Sequence, residues 1–172
     1  MLETRMERHS SLEQLFANLN HSVNRTLNSR TFVCFQMAQI HPESRCLHLA
    51  SAGCPYPFHY RATTGDVAEL QPDGAYPLGI RLDSDYRVLE IQLDPGDRVV
   101  FCSDGIMEAE NAREEIFGFD RTAAAIHEGC KQDLSAEDLL DRIVETVGDF
   151  TDDVPATDDR TCVVLEVRNV ER

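Results

Sequence analysis

Residues 97–111 read Asp-Arg-Val-Val-Phe-Cys-Ser-Asp-Gly-Ile-Met-Glu-Ala-Glu-Asn, and we expect the rest of the chain to be organised around them. Pro95-Gly96 marks a turn ahead of this stretch. Arg98 to Cys102 is a short apolar run of the kind that forms a buried strand. The sequence therefore predicts that Asp104 is held rigidly at the end of a core strand, with Gly105 following where the chain bends sharply.

A second acidic cluster, Asp158-Asp159, stands just before the last apolar run, residues 161–167. If the two strands are neighbours, the carboxylates of both clusters meet at one edge of a sheet. Clustered carboxylates repel one another unless they share a proton or a cation, and all-oxygen ligand sets favour Mg²⁺ or Mn²⁺. Ordinary solvated turns, with an Asx hydrogen bond at Asp104, explain both clusters equally well in a chain this acidic. The residues alone leave the two interpretations open.

The composition narrows the classes of partner. The chain has 172 residues, with 16 Lys and Arg against 31 Asp and Glu and a net charge of −15. This charge argues against binding of nucleic acid or of an anionic membrane, because both need a basic patch, and it fits binding of cations or of a basic partner. The sequence has no bilayer-spanning apolar run and no signal-peptide pattern, so we expect a cytoplasmic protein.

The six cysteines form no C-x-x-C pair and lie mostly in apolar runs. We interpret them as reduced residues of the core, in keeping with a cytoplasmic location.

Hydrophobic periodicity predicts an α+β protein with one domain over residues 11–172, after a polar lead-in over residues 1–10. An amphipathic helix is predicted over 11–28 with Ser10 as its cap, and further helices from near Asp120 and from Ser135. Strands are predicted over 31–40, 45–52, 58–60, 67–70, 86–93, 98–102 and 161–167.

Six motifs in this order resemble the SpoIIE/RsbU-type PPM (PP2C-like) protein serine/threonine phosphatases, and the resemblance extends over nearly the whole chain. The motifs are Ser51-Ala52-Gly53-Cys54-Pro55, Pro77-Leu78-Gly79-Ile80, Pro95-Gly96-Asp97, Ser103-Asp104-Gly105-Ile106-Met107-Glu108-Ala109, Phe117-Gly118 and Asp158-Asp159-Arg160-Thr161.

The resemblance implies a sandwich of two antiparallel sheets flanked by helices, with a binuclear Mn²⁺ or Mg²⁺ site at one edge. In such enzymes the metals activate a water that attacks the phosphorus of phosphoserine or phosphothreonine. Asp104 matches the ligand of the family's T/S-D-G motif, and Asp158 matches a ligand near the C-terminus. Asp159 matches the adjacent Asp or Asn and is placed beside the site, either on a metal or next to its ligands. No catalytic residue beyond the metal ligands is implied.

The sequence departs from the family pattern in two places. The family's Asn-Ala-Gly-His motif reads Ser51-Ala52-Gly53-Cys54 here, and we interpret Cys54 as a buried structural thiol beside the site. The family's first metal motif, Asp-x-x-Gly-His-Gly, has no counterpart, since no Gly occurs before Gly53. We therefore expect an N-terminally truncated phosphatase domain that is weak or inactive by itself.

The leading functional hypothesis is a metal-dependent protein phosphatase acting on a phosphorylated anti-sigma-factor antagonist or a similar bacterial regulator. This substrate follows from the family resemblance alone. The alternative is a catalytically impaired module of the same fold that acts in signal transduction by binding a protein. A homodimer is a further expectation, because a sandwich that lacks its early strands exposes an edge or an apolar face.

Overall fold

The computed structural model describes residues 11–27, 31–72, 76–152 and 154–168. The helices in these ranges are α1 Leu12–Thr26, α2 Asp104–Met107, α3 Gly118–Lys131 and α4 Ala136–Thr151. The strands are β1 Phe35–His41, β2 Cys46–Ala52, β3 Phe58–Arg61, β4 Asp66–Glu69, β5 Leu89–Gln92, β6 Arg98–Cys102 and β7 Cys162–Glu166. The predicted α+β class with two antiparallel sheets and helices is confirmed.

The contacts group the chain into two compact units. The first unit comprises residues 1–54 and 71–92 and holds an antiparallel sheet in the order β1-β2-β5. Helix α1 contributes Phe16, which is fully buried with its ring 5.2 Å from that of Phe35 and 5.6 Å from that of Tyr86. Aromatic side chains bury a large apolar area each, so these contacts contribute strongly to the core of the first unit.

The second unit comprises residues 55–70 and 93–172 and holds a four-stranded antiparallel sheet in the order β4-β3-β6-β7. The central strand β6 runs through an apolar cluster, and helices α3 and α4 contribute Ile126, Leu139 and Ile143 to it. Because β6 is paired on both sides and covered by this cluster, its C-terminal end is fixed in place.

Four predicted elements differ most from the observed ones. Strand β1 begins at Phe35 and not at residue 31. Helix α1 is capped by Ser11, whose hydroxyl accepts a hydrogen bond from the Gln14 N–H, whereas Ser10 lies outside the described residues. Helix α3 begins at Gly118, two residues before the predicted start near Asp120. Strand β5 begins at Leu89 and not at Tyr86, because Tyr86 is buried in the core of the first unit without pairing to β2. Alternating apolar and polar residues indicate which side chains are buried. A buried side chain such as Tyr86 need not belong to a strand that pairs with a neighbour.

The placement of the cysteines in the core is only partly right. Cys102 is buried, Cys34 is exposed and the other four are half-buried, and all six are present as thiols. Cys34 lies between the Val33 bridge and the start of β1, where an apolar run continues onto the exposed surface.

A buried hydrogen bond between Asp97 and His59 holds the turn that leads into β6. The Asp97 carboxylate is 2% exposed and lies 2.8 Å from Nε2 of His59, which is 1% exposed. It also accepts hydrogen bonds from the N–H groups of Ala62 and Asp94. Burial by itself raises the pKa of Asp97, but the hydrogen bonds from Asp94, Ala62 and His59 more than offset it and leave the pKa below its ordinary value.

We expect Asp97→Asn to lower the free energy of unfolding at pH 7 by about 3 kcal/mol, because an amide oxygen cannot replace two carboxylate oxygens that accept three bonds. A depressed folded-state pKa stabilises the fold above the ordinary Asp pKa of about 3.9, and that stabilisation is lost as pH falls through the folded-state value. Urea unfolding of parent and variant at neutral and acidic pH should therefore show the difference shrinking at low pH. The exposed Asp66→Asn serves as the control, and a difference that does not depend on pH would contradict the assignment.

Candidate metal centre

The two strands that carry the acidic clusters are neighbours. Strands β6 and β7 pair antiparallel, with Cys102 opposite Cys162. One step further, the Ser103 N–H donates to the Thr161 carbonyl at 2.9 Å. The end of β6 therefore lies beside the start of β7. The two strands are neighbours, as a shared edge for the two acidic clusters requires.

The Ser103 hydroxyl ties the two chain segments together. Its Oγ accepts a hydrogen bond from the Thr161 N–H at 2.9 Å and donates one to the Asp159 carbonyl at 3.1 Å. Sequence reasoning missed this role. The sequence feature that could have indicated this role is the position of Ser103 directly after one predicted strand, where it can reach the residues that precede the next.

Gly105 allows the closest approach between the segments. A Cβ at this position would collide with the Asp159 carbonyl oxygen, and would lie 2.9 Å from the Asp159 carbonyl carbon and 3.4 Å from that of Asp158. The chain leaves strand β6 here as the one-turn helix α2 over residues 104–107, and Gly105 has no positive φ. Glycine is needed here for lack of a side chain, not for backbone freedom.

The two carboxylates predicted as ligands, Asp104 and Asp158, stand at this edge in similar settings. Both are exposed, and each accepts one hydrogen bond from the N–H of the following residue, at 3.0 Å for Asp104 and 2.7 Å for Asp158. Each bond comes from the next residue and not from the one two positions on, so neither is the Asx bond of the turn interpretation, and each occupies only Oδ1. Within the described ranges no hydrogen bond is made to Oδ2 of either residue, which leaves one oxygen of each carboxylate available to a cation.

The donor chemistry fits a hard divalent cation, but the set is small. Carboxylate oxygens are the ligands that Mg²⁺ and Mn²⁺ prefer. Over residues 11–27, 31–72, 76–152 and 154–168, no group of three His, Cys, Asp or Glu side chains is placed to hold a metal ion. The described residues thus offer two carboxylates on tethered segments, and water would complete the coordination of a hard cation there.

The remaining predicted site residues divide between the two units. Asp159 belongs with Asp104 and Asp158, and it contacts the Ser103 hydroxyl through its backbone carbonyl while its side chain is exposed. Gly53 and Cys54 belong to the first unit. Gly53 has φ +81° and lies against the Pro77 ring, so that a Cβ added to Gly53 would come within 3.0 Å of the Pro77 Cδ, and Cys54 is half-buried.

None of the helices within the described residues is long and apolar enough to cross a bilayer.

Comparison with known proteins identifies relatives of the chain. Residues 1–168 match the family model of Stage II sporulation protein E (SpoIIE). Phosphoserine phosphatase RsbU of Bacillus subtilis (strain 168) is 26% identical over 152 residues, which is 88% of this chain and 44% of RsbU. The chain thus spans less than half the length of this relative.

Two solved structures share the fold. The SiaA-PP2C domain of Pseudomonas aeruginosa superposes with a TM-score of 0.75 at 21% identity, covering 90% of this chain and 60% of that one. The phosphatase domain of SpoIIE from Bacillus subtilis, in a Mn-presoaked crystal, superposes with a TM-score of 0.62 at 20% identity, covering 99% and 74%. The match to the family model over nearly the whole sequence, together with the PP2C-like fold, confirms the resemblance: this chain belongs to the SpoIIE family of PPM (PP2C-type) phosphatase domains.

Proposed function

We propose that this chain is a metal-dependent protein phosphatase domain that hydrolyses phosphoserine or phosphothreonine in a protein substrate. The observation that carries the proposal is the edge where β6 ends and β7 begins, which presents Asp104 and Asp158 on two segments tied together by Ser103. Membership of the SpoIIE family and the similarity to phosphoserine phosphatase RsbU support this reaction class.

Asp104 and Asp158 are the proposed ligands of Mn²⁺ or Mg²⁺, and Asp159 is their proposed neighbour. When bound, such an ion neutralises phosphoryl charge and lowers the pKa of water. The protein's own contribution is positional: the Ser103 hydrogen bonds fix the spacing of the two segments, and Gly105 permits it. Errors of about 1 Å in such positioning can cost roughly 10²-fold in rate.

The proposed substrate is a phosphorylated anti-sigma-factor antagonist or a similar small bacterial regulator. Its support is the similarity to RsbU, which is a phosphoserine phosphatase. The net charge of −15 repels a phosphorylated partner. A cation bound at the site would offset this repulsion where the phosphoryl group approaches. Homodimer formation stays a prediction.

The proposal is tested by measuring phosphate release from a phosphoserine protein of the antagonist class and from a phosphopeptide of the same sequence, with Mn²⁺ titrated and then removed by a chelator. We expect slow turnover that depends on Mn²⁺, since two carboxylates hold the ion weakly. The folded phosphoprotein should be hydrolysed with a higher kcat/KM than the peptide.

The Asp104→Asn variant should release phosphate at the background rate. The exposed Asp141→Asn, which makes the same change of charge on α4, should match the parent. Binding of the phosphoprotein without phosphate release at any Mn²⁺ concentration would contradict the proposal and favour a binding module.

A further inference from the structure

Two cysteines face each other across the β6–β7 pair. Cys102 is directly opposite Cys162 in the register. The neighbouring pair, Ser103 and Thr161, is joined by a backbone hydrogen bond, so the cysteines occupy a non-hydrogen-bonded position, where antiparallel strands come closest. Opposed Cα atoms are about 4.5 Å apart at such positions, within the range of about 4.4–6.8 Å that a disulfide spans.

The surroundings of the two thiols are unequal. Cys102 is 7% exposed and belongs to the apolar cluster of the second unit, whereas Cys162 packs against that cluster and is half-buried. The Cys102 thiol beside it lowers the pKa of Cys162 against the opposing effect of burial. Because Cys162 is half-buried and Cys102 is buried, Cys162 is the thiol of the pair that a small solute reaches more easily.

Cys46, the third cysteine that lies in a strand, has no cysteine opposite it. Cys46 in β2 is opposite His41 on one side and Gln92 on the other. Cys130 lies in helix α3, and its burial raises the pKa of its thiol to about 11. A strand-opposed dithiol is therefore a specific property of positions 102 and 162.

We propose that Cys102 and Cys162 form a site of reversible oxidation, at which a peroxide converts the dithiol into a disulfide between β6 and β7. The crosslink would join the strand that ends beside Asp104 to the strand that begins after Asp158. The oxidation itself does not depend on the proposed phosphatase activity.

The chemistry balances with hydrogen peroxide as the oxidant. The more exposed Cys162 sulfur, as the thiolate, attacks one peroxide oxygen, the O–O bond breaks, and sulfenic acid and hydroxide form. The Cys102 sulfur then attacks the Cys162 sulfur and expels the sulfenic oxygen as water, while the Cys102 proton and the proton lost earlier from Cys162 complete two waters. Two electrons pass from the sulfurs to peroxide, and a reducing dithiol reverses the change by thiol–disulfide exchange.

The test treats the folded chain with hydrogen peroxide, blocks the remaining thiols, and maps crosslinked peptides by mass spectrometry. We expect a Cys102–Cys162 peptide pair, a mass loss of about 2 Da from the two hydrogens removed, and recovery of both thiols after dithiothreitol. Mapping of the parent chain answers the question without any variant.

Cys162→Ser should abolish the crosslink, while Cys102→Ser should leave Cys162 to be trapped as sulfenic acid by a dimedone probe. Cys130→Ser is the matched control and should form the crosslink as the parent does. Peroxide treatment that leaves both thiols intact, or that carries Cys162 to sulfinic acid without any crosslink, would overturn the proposal.

Discussion

Gly105→Ala is expected to lower the free energy of unfolding by about 3 kcal/mol. The added methyl group would meet the Asp159 carbonyl oxygen and lie 2.9 Å from its carbon, and backbone atoms cannot rotate away as a side chain can. Relief requires the 158–161 segment to move, which breaks the hydrogen bonds that Ser103 makes to Asp159 and Thr161. Urea unfolding followed by circular dichroism measures the effect.

Gly148→Ala provides a control of opposite sign. Gly148 lies inside α4, and a Cβ there would have no atom within 4 Å. Replacing a helical glycine with alanine is expected to stabilise the chain by about 1 kcal/mol. If Gly105→Ala were as harmless as Gly148→Ala, the close approach of the two segments would be disproved.

The second large effect is expected in metal affinity. Asp104→Asn and Asp158→Asn should each weaken Mn²⁺ binding by at least about tenfold, or about 1.4 kcal/mol, as measured by isothermal titration calorimetry. A neutral amide keeps the shape of the side chain but removes the charge that attracts the cation. No group of three His, Cys, Asp or Glu side chains among the described residues is placed to hold a metal ion, so we expect no third ligand to compensate for the loss.

The double variant distinguishes one shared ion from two separate ones. Ligands of one ion interact, so the effects of the two substitutions should not add, whereas independent sites would give additive losses. Asp141→Asn again controls for the loss of one negative charge. Unchanged Mn²⁺ affinity in both single variants would remove the assignment of Asp104 and Asp158 as ligands.

Local pattern was enough to predict much of the fold. Strand β6 has the predicted bounds, Arg98–Cys102, because an apolar run rich in Val and Phe is decisive when it is bounded by turn residues. The N-cap at Ser135 was also predicted correctly, since a hydroxyl three residues before an acidic residue is a local signal. The same apolar runs placed Asp104 at the end of one strand and Asp158 before another, but they left open whether the two strands are neighbours.

What the sequence could not predict depends on register between distant residues. The contact of Gly105 with Asp159 and the bridging hydroxyl of Ser103 exist only because β6 and β7 pair in one particular alignment. Periodicity reports which face of a strand is buried, but not which residue lies opposite it. The cysteine pair could not be predicted for the same reason, since Cys102 and Cys162 were each interpreted separately as small apolar residues of the core.

The pairing of β7 with β6 also determines when the site forms during folding and how long it stays formed. These strands join residues that are far apart in the sequence, with helices α3 and α4 between them, so their contact closes a long loop and carries a large loop-closure entropy. Among the described residues β7 pairs with β6 alone, and segments with fewer contacts open locally at lower free energy than core strands do. The carboxylate pair therefore exists only while β7 is docked, and amide hydrogen exchange in β7 reports directly on the lifetime of the site.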